Sequence, residues 1–182
     1  MPPDLNLRTA PPTVLHSLDT PTVCALNGGA AGYGMDLALG CDIRIAAESS
    51  KLAAAFTRRG VLPESGGTWL LPRLVGWAKA AEIIFTGRTL SSEQCLELGL
   101  VNRVVPDELL MKETLALAEE ISANAPMAVR ASKRMMRAAL SEEFDDHVHH
   151  VFLQLLPLFR SRDFREGMMA FLEKRKPEFE GR

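Results

Sequence analysis

Residues 22–76 read TVCALNGGAAGYGMDLALGCDIRIAAESSKLAAAFTRRGVLPESGGTWLLPRLVG, and this stretch decides the fold. An apolar run, 23–26, ends in Asn27-Gly28-Gly29, and a short helical pattern follows. A second apolar run at 43–46 leads to a second glycine-bearing turn, Ser65-Gly66-Gly67, which opens another helix. Short β-branched runs alternating with helical segments are the signature of an α/β arrangement. Each glycine turn carries an acid, Asp36 in the first and Glu64 in the second. Glycine between a strand and a helix leaves backbone N–H groups uncovered, and the first amides of a helix have no internal partner. The pattern therefore offers amide donors and a proton carrier to one substrate.

Working outward, the apolar run 101–105 closes the α/β part. Residues 1–20 hold four prolines and no sustained period, so they read as an irregular lead-in with at most one short helix near 14–18. From Asp107 onward the pattern is helix after helix, with breaks at Pro126, around Ser141, at Pro157 and near Asp163, the last offering an N-cap. The expected organisation is a lead-in (1–20), an α/β core bearing the active-site turns (21–106) and a helical region (107–182). The apolar face of that last region can cover its own core or a partner subunit.

Composition excludes several classes. The 182 residues are 47% apolar and 24% charged, with a net charge of -2, which fits a soluble domain with a real core and gives no global pull toward nucleic acid. No run reaches the roughly 18 apolar residues of a membrane helix, and the proline-bearing N-terminus does not resemble a secretory signal, so a cytoplasmic location is expected. Cys24, Cys41 and Cys95 are widely spaced in apolar sequence and read as reduced core thiols. His147, His149 and His150 beside Asp145 and Asp146 lack a complete metal-ligand spacing and read as a solvated helix face, so no metal is expected.

Other readings of the motifs are weaker. A dinucleotide-binding turn would place an acid about twenty residues on, and residues 56–59 contain none. A nucleophile elbow needs glycine where Pro63 precedes Glu64-Ser65. Helix physics alone would also place an acid in a first helical turn, as for Asp36, and a Pro-Glu pair at a helix start, as for Glu64.

The chain resembles the enoyl-CoA hydratase/isomerase (crotonase) superfamily. The resemblance runs through the quoted block, TGRTLSSEQCLELGLVNRVVP (residues 86–106), the long helical region and FREGMMAFLEKRKPEF (residues 164–179). It implies an α/β fold, a partial spiral of ββα units followed by a helical C-terminal region that mediates homotrimers or dimers of trimers. It also implies an acyl-coenzyme A thioester substrate, no separate cofactor, and an enolate held by backbone amides. Position by position, the oxyanion donor falls at Tyr33 with Gly34 beside it, while Gly32 and Phe56 face the substrate. Lys174, in the short basic tail, is a candidate phosphate contact. Asp36 falls where hydratases carry their first glutamate, and Phe56 where they carry the second. Glu64 matches the acidic position that several isomerases of the superfamily use as a proton shuttle.

The favoured expectation is therefore double-bond isomerisation by Glu64, with Asp36 as a second acid or polar organiser. Alternatives are hydration by Asp36 and Glu64, acyl-CoA binding without efficient turnover, and another superfamily chemistry such as thioester hydrolysis. The resemblance further implies chain ahead of the position matching Pro21, which in the family supplies the second oxyanion donor.

Overall fold

The computed structural model describes residues 6–182. The expectations for residues 1–5, including Pro2 and Pro3, lie outside them.

 The rest of the lead-in is more ordered than its prolines suggest. A 3-10 turn, Leu7–Thr9, capped by the Asn6 side chain, runs into α1 (Pro11–Ser17), which has proline in its first turn and packs on α2 (Tyr33–Gly40) with Pro12 buried. Proline presets the first helical dihedral and needs no amide partner there, so the feature that read as irregular starts the helix three residues early.

Backbone packing divides the described residues into two compact units, residues 6–18 with 22–115 and residues 19–21 with 116–182. In the first unit the chain runs β1 (Val23–Leu26), β2 (Gly29–Ala31), α2, β3 (Ile43–Ala47), β4 (Lys51–Ala53), α3 (Gly67–Val75), α4 (Trp77–Thr86), β5 (Thr89–Ser91), α5 (Ser92–Glu97) and β6 (Arg103–Val105). The first four strands alternate between two three-stranded sheets; β5 then stays in the second sheet and β6 returns to the first. One has the order β1-β3-β6 and is parallel throughout, with Val23 beside Ile43 and Ile45 beside Arg103. The other has the order β2-β4-β5, with β2 parallel and β5 antiparallel to β4. Each pass of the chain thus adds a rung to both sheets, which is a spiral.

Parallel strands covered on both faces read as apolar runs. Ile45, Ala46 and Ala47 of β3 are accordingly buried, and Leu26, Met35, Leu39, Leu52, Leu71, Ile83, Leu90 and Leu100 complete the core. A capping box, in which Ser91 and Gln94 satisfy each other's backbone amides, starts α5. Arg44 is a buried cation within β3. Its guanidinium donates to the carbonyls of Leu100 (2.6 Å), Cys41 (2.6 Å) and Ala38 (3.5 Å), which fixes α2 against the segment leading to β6.

After α6 (Leu110–Ser122), which crosses from the first unit into the second, come α7 (Pro126–Ala138), α8 (Phe144–Phe159) and α9 (Arg162–Glu173). Pro157 lies inside α8, which ends two residues later. Proline removes one hydrogen bond of the last turn, and that loss is tolerable where the helix is about to stop. The cap of α9 is Ser161, whose Oγ accepts from Phe164 N–H at 3.0 Å, and not Asp163. Asp163 is buried and accepts instead from the amides of Glu180 (2.7 Å) and Gly181 (2.9 Å), while the Arg182 carbonyl accepts from the amides of Arg162 and Asp163. These bonds strap the tail across the start of α9. No residue of α8 is buried, and Phe144, Val148, Phe152 and Phe159 all stand exposed.

Candidate active site

The first turn is built so that its amides stay open. Gly32 caps α2 with φ 55° and ψ -120°, a conformation that favours glycine, and no side chain caps the helix. The Gly32 amide is spent on Ala53 O (2.8 Å), which ties the turn to β4, and its carbonyl accepts from Asp36 N–H (3.1 Å). Tyr33 and Gly34 follow as the first two residues of α2, whose amides the helix itself cannot satisfy. Beneath them lies Phe56, buried at 5% exposure, with its ring 3.8 Å from the place where a Gly32 Cβ would stand.

The second turn differs from its sequence reading. Glu64 does not sit in the first turn of α3, because the helix begins at Gly67 with Gly66 as its cap and has no acid in its first turn. Glu64 lies two residues ahead of that cap, half-buried, in the turn that follows buried Pro63. The helix dipole therefore does not account for this acid.

Asp36 joins the two turns. It belongs to the first turn of α2, yet its carboxylate reaches the start of α3 and accepts from the amides of Ser65 (3.3 Å) and Gly67. It thus caps a neighbouring helix in place of its own. Gly67 makes the approach possible, since a Cβ there would lie 2.2 Å from Asp36 Oδ1 and 2.8 Å from Pro63 Cβ. Asp36 is only 2% exposed. Burial pushes its pKa up to about 6, the two amides act against that shift, and the nearby charge of Glu64 adds to it.

The structure therefore gathers Gly32, Tyr33, Gly34, Asp36, Phe56 and Glu64 into the first unit around two turns linked by one carboxylate. Lys174 belongs to the second unit, where it ends α9 as an exposed residue with φ 54°. Ser65 is 1% exposed, so it is not presented as a nucleophile, and its hydroxyl has no partner among the described residues. Gly67 was not singled out by sequence reasoning; its one signal is the Gly66-Gly67 doublet directly after an acid. His147 and His150 both place Nδ1 against Glu142, at 2.7 and 2.9 Å, where sequence suggested only a solvated face. Among the described residues no group of three or more His, Cys, Asp or Glu is arranged to hold a metal, and no helix is long and apolar enough to cross a membrane.

An α/β spiral with a helical C-terminal region and a glycine turn whose helix has no side-chain cap defines a known class of fold. The family model for enoyl-CoA hydratase/isomerase matches residues 11–182, and the chain belongs to that family, with its crotonase fold. It is 40% identical over 168 residues to the 1,2-epoxyphenylacetyl-CoA isomerase of Escherichia coli, covering 92% of this chain and 64% of that protein. It is 39% identical over 168 residues to a probable enoyl-CoA hydratase of Rhodobacter capsulatus, covering 92% of this chain and 65% of that protein. The crystal structure of an enoyl-CoA hydratase from Bacillus anthracis superposes with a TM-score of 0.93 at 38% identity, over 97% of this chain and 68% of that one. The chain thus spans about two thirds of the length of these relatives.

Proposed function

We propose that this chain carries the proton-transfer centre of an acyl-CoA double-bond isomerase, with Glu64 as the shuttle. One observation carries the choice: of the two acids, Asp36 is buried and committed to the backbone of the second turn, which leaves Glu64 as the acid able to meet a substrate. Phe56, at the position where the resemblance puts a hydratase's second acid, is apolar and buried. Hydration needs a water held by two acids, whereas isomerisation needs one group that removes a proton from one carbon and returns it to another.

In the proposed reaction the thioester oxygen of a 3-enoyl-CoA lies on the Tyr33 N–H, beside Gly34. Glu64 takes a proton from C2, the charge moves onto the oxygen as a dienolate, and the protonated Glu64 returns the proton to C4, which shifts the double bond to C2=C3. A preorganised amide at the developing oxyanion is worth a few kcal/mol. Asp36 acts as a positioning residue: its carboxylate holds the amides of Ser65 and Gly67, and so the turn that bears Glu64. Lys174 is proposed as a contact for the coenzyme A phosphates, and the exposed apolar face of α8 as a surface covered in a homotrimer or a dimer of trimers.

Turnover of a 3-enoyl-CoA and a 2-enoyl-CoA, with products identified by mass and chromatography, tests this reading. Conversion of the 3-enoyl to the 2-enoyl isomer supports it. A 3-hydroxyacyl product would assign hydration and give Asp36 a direct role, and binding of both thioesters without turnover would assign a binding function.

A further inference from the structure

The helix that offers its first amides at the glycine turn is closed at its other end by a buried cation. Arg44, 5% exposed in β3, donates from Nη1 to Cys41 O (2.6 Å) and Ala38 O (3.5 Å), and from Nε to Leu100 O (2.6 Å). Ala38 lies in the last turn of α2, and Cys41 is its C-cap. The half-buried Cys41 adds a thiol that donates to Leu37 O at 3.7 Å, so a third carbonyl at this end is engaged. The backbone of Arg44 is pinned as well: its amide donates to Asn102 Oδ1 at 2.9 Å, and its carbonyl accepts from Asn102 N–H at 2.8 Å. Among the described residues the guanidinium donates to carbonyl oxygens alone and forms no ion pair.

A buried charge without a carboxylate partner is unfavourable for folding, and a well-packed apolar side chain of similar volume would avoid the penalty. What this cation meets is the negative end of a helix, whose last carbonyls have no intrahelical partner and together carry about half an elementary charge. The positive end of the same helix is the oxyanion end, since Tyr33 is its first residue. Eight residues at 1.5 Å each put the two ends roughly 12 Å apart. Two acids work against a negative charge at Tyr33. Asp36 is buried in the first turn, whereas Asp42 is exposed beyond the helix and accepts from Thr22 N–H (2.7 Å) and Oγ1–H (3.0 Å). Solvent and salt screen an exposed charge such as Asp42, but act far less on buried ones such as Asp36 and Arg44.

We infer that Arg44 is a positioning residue for the oxyanion amide at the far end of α2. Its cation holds the helix by the carbonyls of its last turn and cap, and it offsets the buried charge of Asp36, so that Tyr33 N–H meets a developing enolate in a favourable field. The inference rests on the reading of Tyr33 as the oxyanion donor and deepens it. Arg44 takes no part in proton transfer, which stays with Glu64. A unit charge roughly 12–15 Å away, at an effective dielectric constant of about 20, changes the population of an anion by about five- to tenfold.

The test uses acetoacetyl-CoA, a thioester whose enolate absorbs in the near ultraviolet, as a probe that loads the oxyanion site without isomerisation. At saturating probe and one fixed pH, the unmutated chain is expected to hold a larger enolate fraction than free probe shows. Arg44→Gln should lower the bound enolate-to-keto ratio by about five- to tenfold. Its affinity for coenzyme A itself, which has no acyl oxygen, should stay within about twofold, a split that a merely structural loss would not give. Arg44→Lys keeps the cation and should return the ratio to within about twofold of the parent. Asn102→Ala removes the acceptor of the Arg44 amide and keeps the charge, so it should lower Tm and leave the ratio unchanged. An unchanged ratio in folded Arg44→Gln, or losses as large in Arg44→Lys or Asn102→Ala, would overturn the inference and leave the reading of Tyr33 standing. No bound enolate in the unmutated chain would overturn both. Should Arg44→Gln prove unfolded by circular dichroism, Arg44→Lys decides alone: a ratio within about twofold of the parent supports the inference, and a loss of about fivefold or more overturns it.

Discussion

The two glycine turns look alike in sequence and do opposite jobs with their acids. In the first, Asp36 is drawn into the core, its pKa raised by burial and its oxygens bound to backbone amides of the other turn. In the second, Glu64 stands half-buried two residues ahead of the Gly66 cap. A carboxylate that is occupied can hold a backbone in place, and one that is not can carry a proton. The difference between them lies in what surrounds each acid, since both turns supply glycine and both supply a helix start.

The largest effect separating the turns should come from Glu64→Gln. Loss of the shuttle is expected to lower isomerase turnover by about 10²- to 10⁴-fold with circular dichroism unchanged; a near-normal rate would end the assignment of Glu64. Next in size is Gly67→Ala, which forces a methyl group against Asp36 Oδ1 and Pro63. Because the carboxylate and proline ring have little freedom to move, a cost of about 3 kcal/mol is expected in denaturant unfolding, at the upper end for overpacking. An unchanged midpoint would mean that the two turns are not locked together.

Asp36→Asn probes the same lock through pH. The folded pKa lies above the ordinary 3.8, so the stability that Asp36 contributes is fully present below about 3.8 and is lost as pH rises through about 6. Asparagine keeps an acceptor for the amides and removes the buried charge. The variant should therefore gain about 1–2 kcal/mol over the parent at pH 8 and lose that advantage by pH 4; parallel stability curves across this range would contradict the raised pKa. Smallest is Ser65→Ala, which removes a buried hydroxyl with no partner among the described residues and should raise stability by up to about 1 kcal/mol. A lower Tm would show that the hydroxyl has a partner in solution.

Much of this architecture could be read from the chain. The strands β1, β3 and β6 stand on apolar runs, and the helical region follows from periodicity. The strands β2, β4 and β5 escaped because none stands on an apolar run: β2 is Gly-Ala-Ala inside the turn itself, β4 is Lys-Leu-Ala and β5 is Thr-Leu-Ser. At the site, Asp36 and Glu64 were legible as acids beside glycine, but their division of labour was not. That division depends on Asp36 reaching residues twenty-nine and thirty-one positions away, a contact that no local pattern encodes. Asp163 was misjudged for a related reason: an aspartate at a helix start suits capping, yet a tail eighteen residues on claims its oxygens and leaves the cap to Ser161.

Displacing Glu180, Gly181 and Arg182 would strip a buried carboxylate of both amide donors and uncover the amides of Arg162 and Asp163 together. Stranding a buried acceptor costs about 1–3 kcal/mol, and more when it is charged. Glu180, Gly181 and Arg182, lying across the start of α9, thus act as a latch on that helix.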